Sequence, residues 1–171
     1  MNKFLPLVLF SILLTSKGYS ESEFRFSVPR NQAAIDVEVG DRDAVVFQLR
    51  ISRGNPINNL RDPLQLRSLQ FTIPSSFRFR FTHFRLLRKD GSELTRSNSG
   101  SLRIRNLRLN PNESIDLVVV AEVFSTDPEH ACESGVQLSL QSQNIFILDQ
   151  FGLRLFLPRR TLRGPRINII C

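Results

Sequence analysis

Tryptophan is absent from this chain, and its one tyrosine and one methionine, Tyr19 and Met1, both fall within the first twenty residues. Beyond residue 20 the aromatic side chains are phenylalanine alone. Sugar-binding platforms built on Trp or Tyr rings are therefore not expected, and any stacking on bases would fall to Phe and Arg. Lysine is almost missing too. After residue 20 only Lys89 remains, and every other basic side chain is arginine. Histidine occurs twice, as His83 and His130, and no nucleophile-elbow pattern, phosphate loop, calcium loop or zinc-finger spacing accompanies them. Cysteine also occurs twice, as Cys132 and Cys171. A metal site from His130, Cys132, Glu129 and Glu133 lacks the second His–Cys pair that would complete four ligands. Asp36 and Glu38 share the polar side of one strand, which suits a solvated face better than a glycosidase cleft. These absences predict no catalytic residues, no metal, no cofactor and no small-molecule substrate.

What the chain does have begins with its leader. Met1-Asn2-Lys3 gives a short positive start, Phe4 to Leu14 an apolar run, and Gly18-Tyr19-Ser20 a small-residue exit. Such a run is too short to span a bilayer and fits a cleaved secretory signal. The expected organisation is a signal over residues 1–20 and a single domain over residues 21–171, with no transmembrane segment in the mature chain. Lys3 and Lys17 leave with the signal, so 21 basic residues face 16 acidic ones, a net charge of +5. In an oxidising compartment Cys132 and Cys171 are most simply one disulfide, closing a loop of about 40 residues for roughly 4 kcal/mol on the chain-entropy model. An intermolecular link and free thiols remain the alternatives.

The hydrophobic period is two from end to end. Phe24, Phe26 and Val28 alternate with polar neighbours, as do Ile35, Val37 and Val39, and then Val45, Phe47, Leu49 and Ile51. Leu64 to Ile73 forms the next stretch. Phe77, Phe79 and Phe81 follow, with a parity shift to Phe84 and Leu86 that predicts a bulge near His83. Lys89-Asp90-Gly91 predicts a hairpin turn into a weaker strand at Glu93–Arg96. Leu102 and Ile104 form another strand, and Ile115 to Val123 the most core-like one. Val136, Leu138 and Leu140 read as one strand. Ile145–Leu148 and Leu153–Leu157 read as a hairpin about Asp149-Gln150-Phe151-Gly152, and Pro158 to Pro165 as a basic loop before a last strand at Arg166–Ile170. No window beyond the leader carries a helical period. The expectation is an all-β fold, an antiparallel two-sheet sandwich of about nine to eleven strands.

One constellation stands out. Side chains two apart on a strand share a face, so Arg78 and Arg80 lie opposite Phe77, Phe79 and Phe81, and Arg103 and Arg105 lie opposite Leu102 and Ile104. Arg108 joins them if parity shifts after Asn106. Were these strands in one sheet, they would form an arginine face able to hold an anionic polymer such as lipopolysaccharide, an acidic polysaccharide or extracellular nucleic acid. The bland reading is a solvated surface paired with neighbouring acids.

The order of the pieces VEVGDRDAVVFQLRIS, LQLRSLQFTI, FTHFRLLRKDGSEL, GSLRIRNLRLNPNESIDLVVVAEV and SGVQLSL resembles immunoglobulin-like sandwich modules of bacterial and archaeal secreted and surface proteins. The resemblance covers about two thirds of the mature chain and rests on turn and core residues. It implies an immunoglobulin-like sandwich without catalytic activity. The functional expectation is a secreted, periplasmic or cell-surface binding or structural accessory protein with an envelope or extracellular partner. An arginine-face binder of an anionic ligand is the alternative, and a small secreted hydrolase the third reading.

Overall fold

The computed structural model describes residues 24–29, 32–54, 63–76, 78–127, 129 and 132–170. Among these residues twelve strands follow one another: β1 (Phe24–Ser27), β2 (Ile35–Glu38), β3 (Ala44–Arg53), β4 (Leu64–Thr72), β5 (Arg80–Arg88), β6 (Glu93–Ser97), β7 (Ser101–Leu109), β8 (Ser114–Phe124), β9 (Glu133–Val136), β10 (Ser139–Leu148), β11 (Thr161–Arg163) and β12 (Ile167–Ile170). A five-stranded sheet runs β1-β3-β8-β5-β6, and a four-stranded sheet runs β11-β10-β4-β7. A small third sheet, β2-β12-β9, joins early and late segments. The all-β expectation holds. Among the described residues every strand pair is antiparallel except β2 with β12, which is parallel.

The core is the meeting of two inward faces. Phe47, Leu49 and Ile51 of β3, Leu117 and Val119 of β8 and Phe84 and Leu86 of β5 are buried in one apolar cluster with Leu66 and Leu69 of β4, Leu102 and Leu107 of β7 and Ile147 of β10. Phe47 and Phe71 meet edge to face across the two sheets, ring centroids 4.9 Å apart. Val120 is buried as well but lies outside that cluster. It sits on the outer face between Val45 and Arg85, so the centre of β8 is covered on both sides, as the run Val118-Val119-Val120 suggests.

Period two is broken in β3, β4, β5, β7 and β10, each time at a register shift, whereas β8 alternates without a break. In β5 the shift lies between Thr82 and Arg85, around His83 at φ 50°. In β7 buried Leu102 and Ile104 give way to buried Leu107 and Leu109, around Asn106 at φ 61°. β3 shifts between Val45 and Phe47, β4 between Leu66 and Ser68, and β10 between Leu140 and Ile145. An inserted residue moves every later side chain to the opposite face, so these bulges keep an interrupted apolar pattern pointing inward. The Lys89-Asp90-Gly91 turn forms as expected. Gly91 adopts φ 85°, its N–H donates to the Arg88 carbonyl at 2.9 Å, and Asp90 Oδ1 accepts from the Ser92 N–H at 2.9 Å.

Three local expectations are corrected. Val136 to Leu140 is not one strand: β9 and β10 belong to different sheets, separated by Gln137 and Leu138. Leu153–Leu157 forms no strand. It touches β10 through one bridge, Leu148 with Arg154, and through the Leu155 N–H to the Ile147 carbonyl at 2.9 Å. The expected basic loop contains β11. Arg78 lies in a bend, so β5 begins only at Arg80, and Phe77 lies outside the described residues. The expected signal at residues 1–20 also lies outside them, and no helix among the described residues is long and apolar enough to cross a membrane.

Candidate anion-binding face

The topology divides the arginines expected to share a face. Arg80 belongs to β5 of the five-stranded sheet, whereas Arg103, Arg105 and Arg108 belong to β7 of the four-stranded sheet. Alternation against buried Phe79 and Phe81 turns Arg80 outward, and alternation against Leu102, Ile104, Leu107 and Leu109 turns the three β7 arginines outward. The outer faces of two packed sheets look in opposite directions. The five residues therefore do not form one face. Strand parity records which side a residue takes but not which strand lies beside it, and β5 pairs with β8 and β6 while β7 pairs with β4. Arg78 has backbone duties at its bend. Its carbonyl accepts from the Ser125 hydroxyl at 2.5 Å, and its N–H donates to Ser76 Oγ at 3.1 Å.

Two chemically different faces result. On the five-stranded side cations and acids are mixed, and several of them pair. Arg50 makes a two-pronged contact with Asp116, Nε to Oδ1 at 2.6 Å and Nη2 to Oδ2 at 2.8 Å. That contact holds the Asp116 carboxyl below the usual carboxylate range, through the hydrogen bonds first and charge attraction after them. Arg96 Nε meets Glu93 Oε1 at 2.7 Å, and Arg85 pairs with Asp43 and lies 3.9 Å from Glu93. His83 Nδ1 lies 2.9 Å from Glu122 Oε2. Asp43, His83, Arg85, Arg96 and Glu122 rim a hollow of about 540 Å³ that Arg42, Ser97 and Asn98 complete. The hollow does not assemble a hydrolytic relay. Thr82 Oγ1 approaches the same His83 Nδ1 at 3.2 Å, whereas a relay needs acid and hydroxyl on opposite ring nitrogens.

The four-stranded side is different. Its four strands, LQLRSLQFT, SLRIRNLRL, SLQSQNIFIL and TLR, hold five arginines and no aspartate or glutamate. Arg67, Arg103, Arg105, Arg108 and Arg163 are all exposed, and none is ion-paired among the described residues. The ladder sets them in rows. Arg108 stands opposite Gln65, which stands opposite Leu148. Arg103 stands opposite Ser68, and Ser68 opposite Phe146, whose ring carries the Arg154 guanidinium 4.9 Å from its centroid. Arg163 stands opposite Ser139, and Ser139 opposite Thr72. Arg105 and Arg67 flank the register shift that faces Asn106. Neighbouring strands lie about 4.8 Å apart and same-face residues about 7 Å apart along a strand. Arg67, Arg103, Arg105 and Arg108 thus lie within one or two such spacings of one another on β4 and β7, with Arg163 across β10 on the far edge strand. Arg67 was readable from the alternation of Leu64, Leu66, Leu69 and Phe71. Arg163 had no such signal inside a segment read as loop.

No group of three His, Cys, Asp or Glu side chains able to hold a metal ion occurs among the described residues. Cys132 stands exposed just before β9, and both His130 and Cys171 lie outside the described residues. No protein-family model matches the chain, and no curated protein sequence matches it. Among solved structures it is similar to the CssB subunit of enterotoxigenic Escherichia coli colonization factor CS6, complemented with a donor strand from the CssA subunit. That match has 9% identity and a TM-score of 0.37, covering 87% of this chain and 98% of the other. It is also similar to a mutant of CfaE, the CFA/I adhesin of enterotoxigenic E. coli, with 10% identity and a TM-score of 0.39 over 86% of this chain and 48% of that one.

Proposed function

We propose that this chain is a non-catalytic binding protein of a secreted or cell-surface compartment, and that it grips an anionic polymer with the outer face of its four-stranded sheet. The observation that carries the reading is the sheet itself: five exposed arginines on four strands without one carboxylate. A face that only needed solubility would mix both signs, as the five-stranded sheet does. Guanidinium forks suit phosphate, sulfate or carboxylate groups bidentately. Removal of residues 1–20 would release the mature domain, and a Cys132–Cys171 bond would tie its late segment. Supporting that bond, Glu133 stands opposite Ile169, so Cys132 comes beside Ile170, the residue before Cys171 in sequence.

The test is retention on immobilised single-stranded DNA, used as a generic polyanion, across a salt series. Each contact releases about 0.7–0.9 counterion equivalents, so five contacts predict a loss of roughly 100-fold or more between about 50 and 200 mM salt. A variant carrying Arg103→Ser, Arg105→Ser and Arg108→Ser retains two contacts and should lose only about tenfold over that range, from a much weaker start. Arg80→Ser, on the opposite face, should leave binding intact. Equal binding by the triple variant and the parent would overturn the reading.

A further inference from the structure

We infer that one edge of this same face docks onto an anionic phospholipid bilayer, with Phe151, Leu153 and Phe156 entering the headgroup region and Arg154, Arg159 and Arg160 gripping phosphates beside them. The inference rests on the anion-binding reading of the four-stranded side and names its ligand class. Large apolar side chains normally seek cover, yet Phe151 is 73% exposed, Leu153 65% and Phe156 79%. They fall within six positions of sequence, and the three arginines between and after them are exposed as well. From residue 150 to residue 170 there is no acidic residue. Phenylalanine and leucine interleaved with arginine, without acids, is the composition of a surface that lies in a lipid interface.

The segment is held in place by two buried polar side chains. Asp149, 7% exposed, uses Oδ1 to accept the N–H groups of Phe151 at 2.9 Å and Leu153 at 2.8 Å, while Gly152 takes φ 78° to close the turn. Ser142, 3% exposed, donates to the Pro158 carbonyl and accepts the Arg160 N–H at 2.9 Å. A turn fixed at both ends presents its apolar side chains already ordered, so little further entropy is lost on docking. The three side chains expose roughly 400 Å² of apolar surface at about 150–200 Å² each when fully open. That is half of the roughly 800 Å² per partner that a specific protein interface buries. A protruding turn with a small apolar tip and a cationic collar matches a lipid surface, where charge supplies what area does not.

The test is co-sedimentation of the mature protein with vesicles of phosphatidylglycerol and phosphatidylcholine mixed equally, against vesicles of phosphatidylcholine alone. Binding is expected only to the anionic vesicles. A variant carrying Phe151→Ser, Leu153→Ser and Phe156→Ser should bind them at least about tenfold more weakly, while its retention on single-stranded DNA stays at the parental level. Undiminished vesicle binding by that variant would overturn the inference, since charge alone would then suffice. A parent that binds single-stranded DNA but no anionic vesicle overturns the inference and leaves the anion-binding reading standing; a parent that binds neither overturns both. Binding to lipopolysaccharide micelles without binding to the vesicles, or a concentration-dependent dimer abolished in the same variant, would assign the edge to another occupant and overturn the lipid one.

Discussion

Gly164 lies where the chain leaves β11 for β12, passing from the four-stranded sheet over the core. Its N–H donates to the Leu138 carbonyl at 2.9 Å, and its own carbonyl accepts from Gln137 Nε2 at 2.8 Å, so the backbone is fixed from both sides. A Cβ at this position would stand 2.8 Å from Phe47 Cδ2 and 2.8 Å from the Val46 carbonyl oxygen. Non-bonded carbons rest about 3.5–4.0 Å apart, so a shift of nearly 1 Å is required. Neither neighbour can supply it cheaply. Phe47 is fully buried and locked against Phe71, and the Val46 carbonyl is part of β3. Gly164→Ala should therefore cost near the upper end of the 1–3 kcal/mol typical of overpacking, about 3 kcal/mol. For a chain of this size that lowers Tm by about 6–12 °C. Gly100→Ala is the control. Its Cβ would meet Ile73 Cδ1 at 2.8 Å and the Phe71 carbonyl at 3.2 Å, but the closest atom is the free end of a half-buried side chain that can change rotamer. The expected loss there is below about 1 kcal/mol. Thermal melts of the three proteins decide the matter. A Gly164→Ala protein melting within 2 °C or so of its parent, or above Gly100→Ala, would refute the reasoning.

Other expectations follow from single contacts. Asn106→Val forces a β-branched residue to φ 61° and should cost about 1–2 kcal/mol in a denaturant titration, whereas Asn106→Gly should match or exceed the parent. Phe84→Ala, which empties a fully buried site behind the β5 bulge, should cost about 3–5 kcal/mol by the same measurement. Ser142→Ala strands the Pro158 carbonyl and the Arg160 N–H. It should cost about 1–3 kcal/mol and speed hydrogen exchange at Arg160 ahead of the core amides. Asp116 has a folded carboxyl pKa below its unfolded value. Its stabilisation is therefore complete above the unfolded pKa of about 3.9 and disappears as pH falls through the folded one. The stability difference between the parent and Asp116→Asn should shrink as pH drops below about 4; a difference independent of pH would count against the pairing with Arg50.

Alternation made most of the fold legible. Two of the breaks were readable: the shift from Phe81 to Phe84 marked the bulge at His83, and the outward position of Arg108 required the shift that Asn106 provides; the β3 break was not, and Val45, which alternates with Phe47 in sequence, faces outward opposite Val120. Alternation does not say which strand pairs with which. Arg80 and Arg103 have the same local pattern, and only the non-local pairings of β5 with β8 and β7 with β4 put them on opposite faces. The absence of acids along the four-stranded sheet was likewise present in the letters but invisible until those four segments were neighbours. Residues 153–157 misled for a related reason. Leu153, Leu155 and Leu157 alternate like a strand, yet only Leu155 is buried, because Asp149 holds the Leu153 end in a turn and Pro158, lacking an N–H, follows at the other.

The parallel pairing of β2 with β12 has a kinetic consequence. Asn168 donates through Nδ2 to Asp36 Oδ1 at 2.8 Å across 132 positions of sequence, and closing a loop of that length costs about 4 kcal/mol beyond a constant. Nothing in that ladder repays the cost until four residue pairs zip together. The hairpin β5–β6 and the ladders of the larger sheets close shorter loops and should nucleate first, leaving this seam to form late and slowly. During synthesis β2 waits without its partner until residues 167–170 have been made. Through that interval the Ile35–Glu38 edge is open to a wrong neighbour.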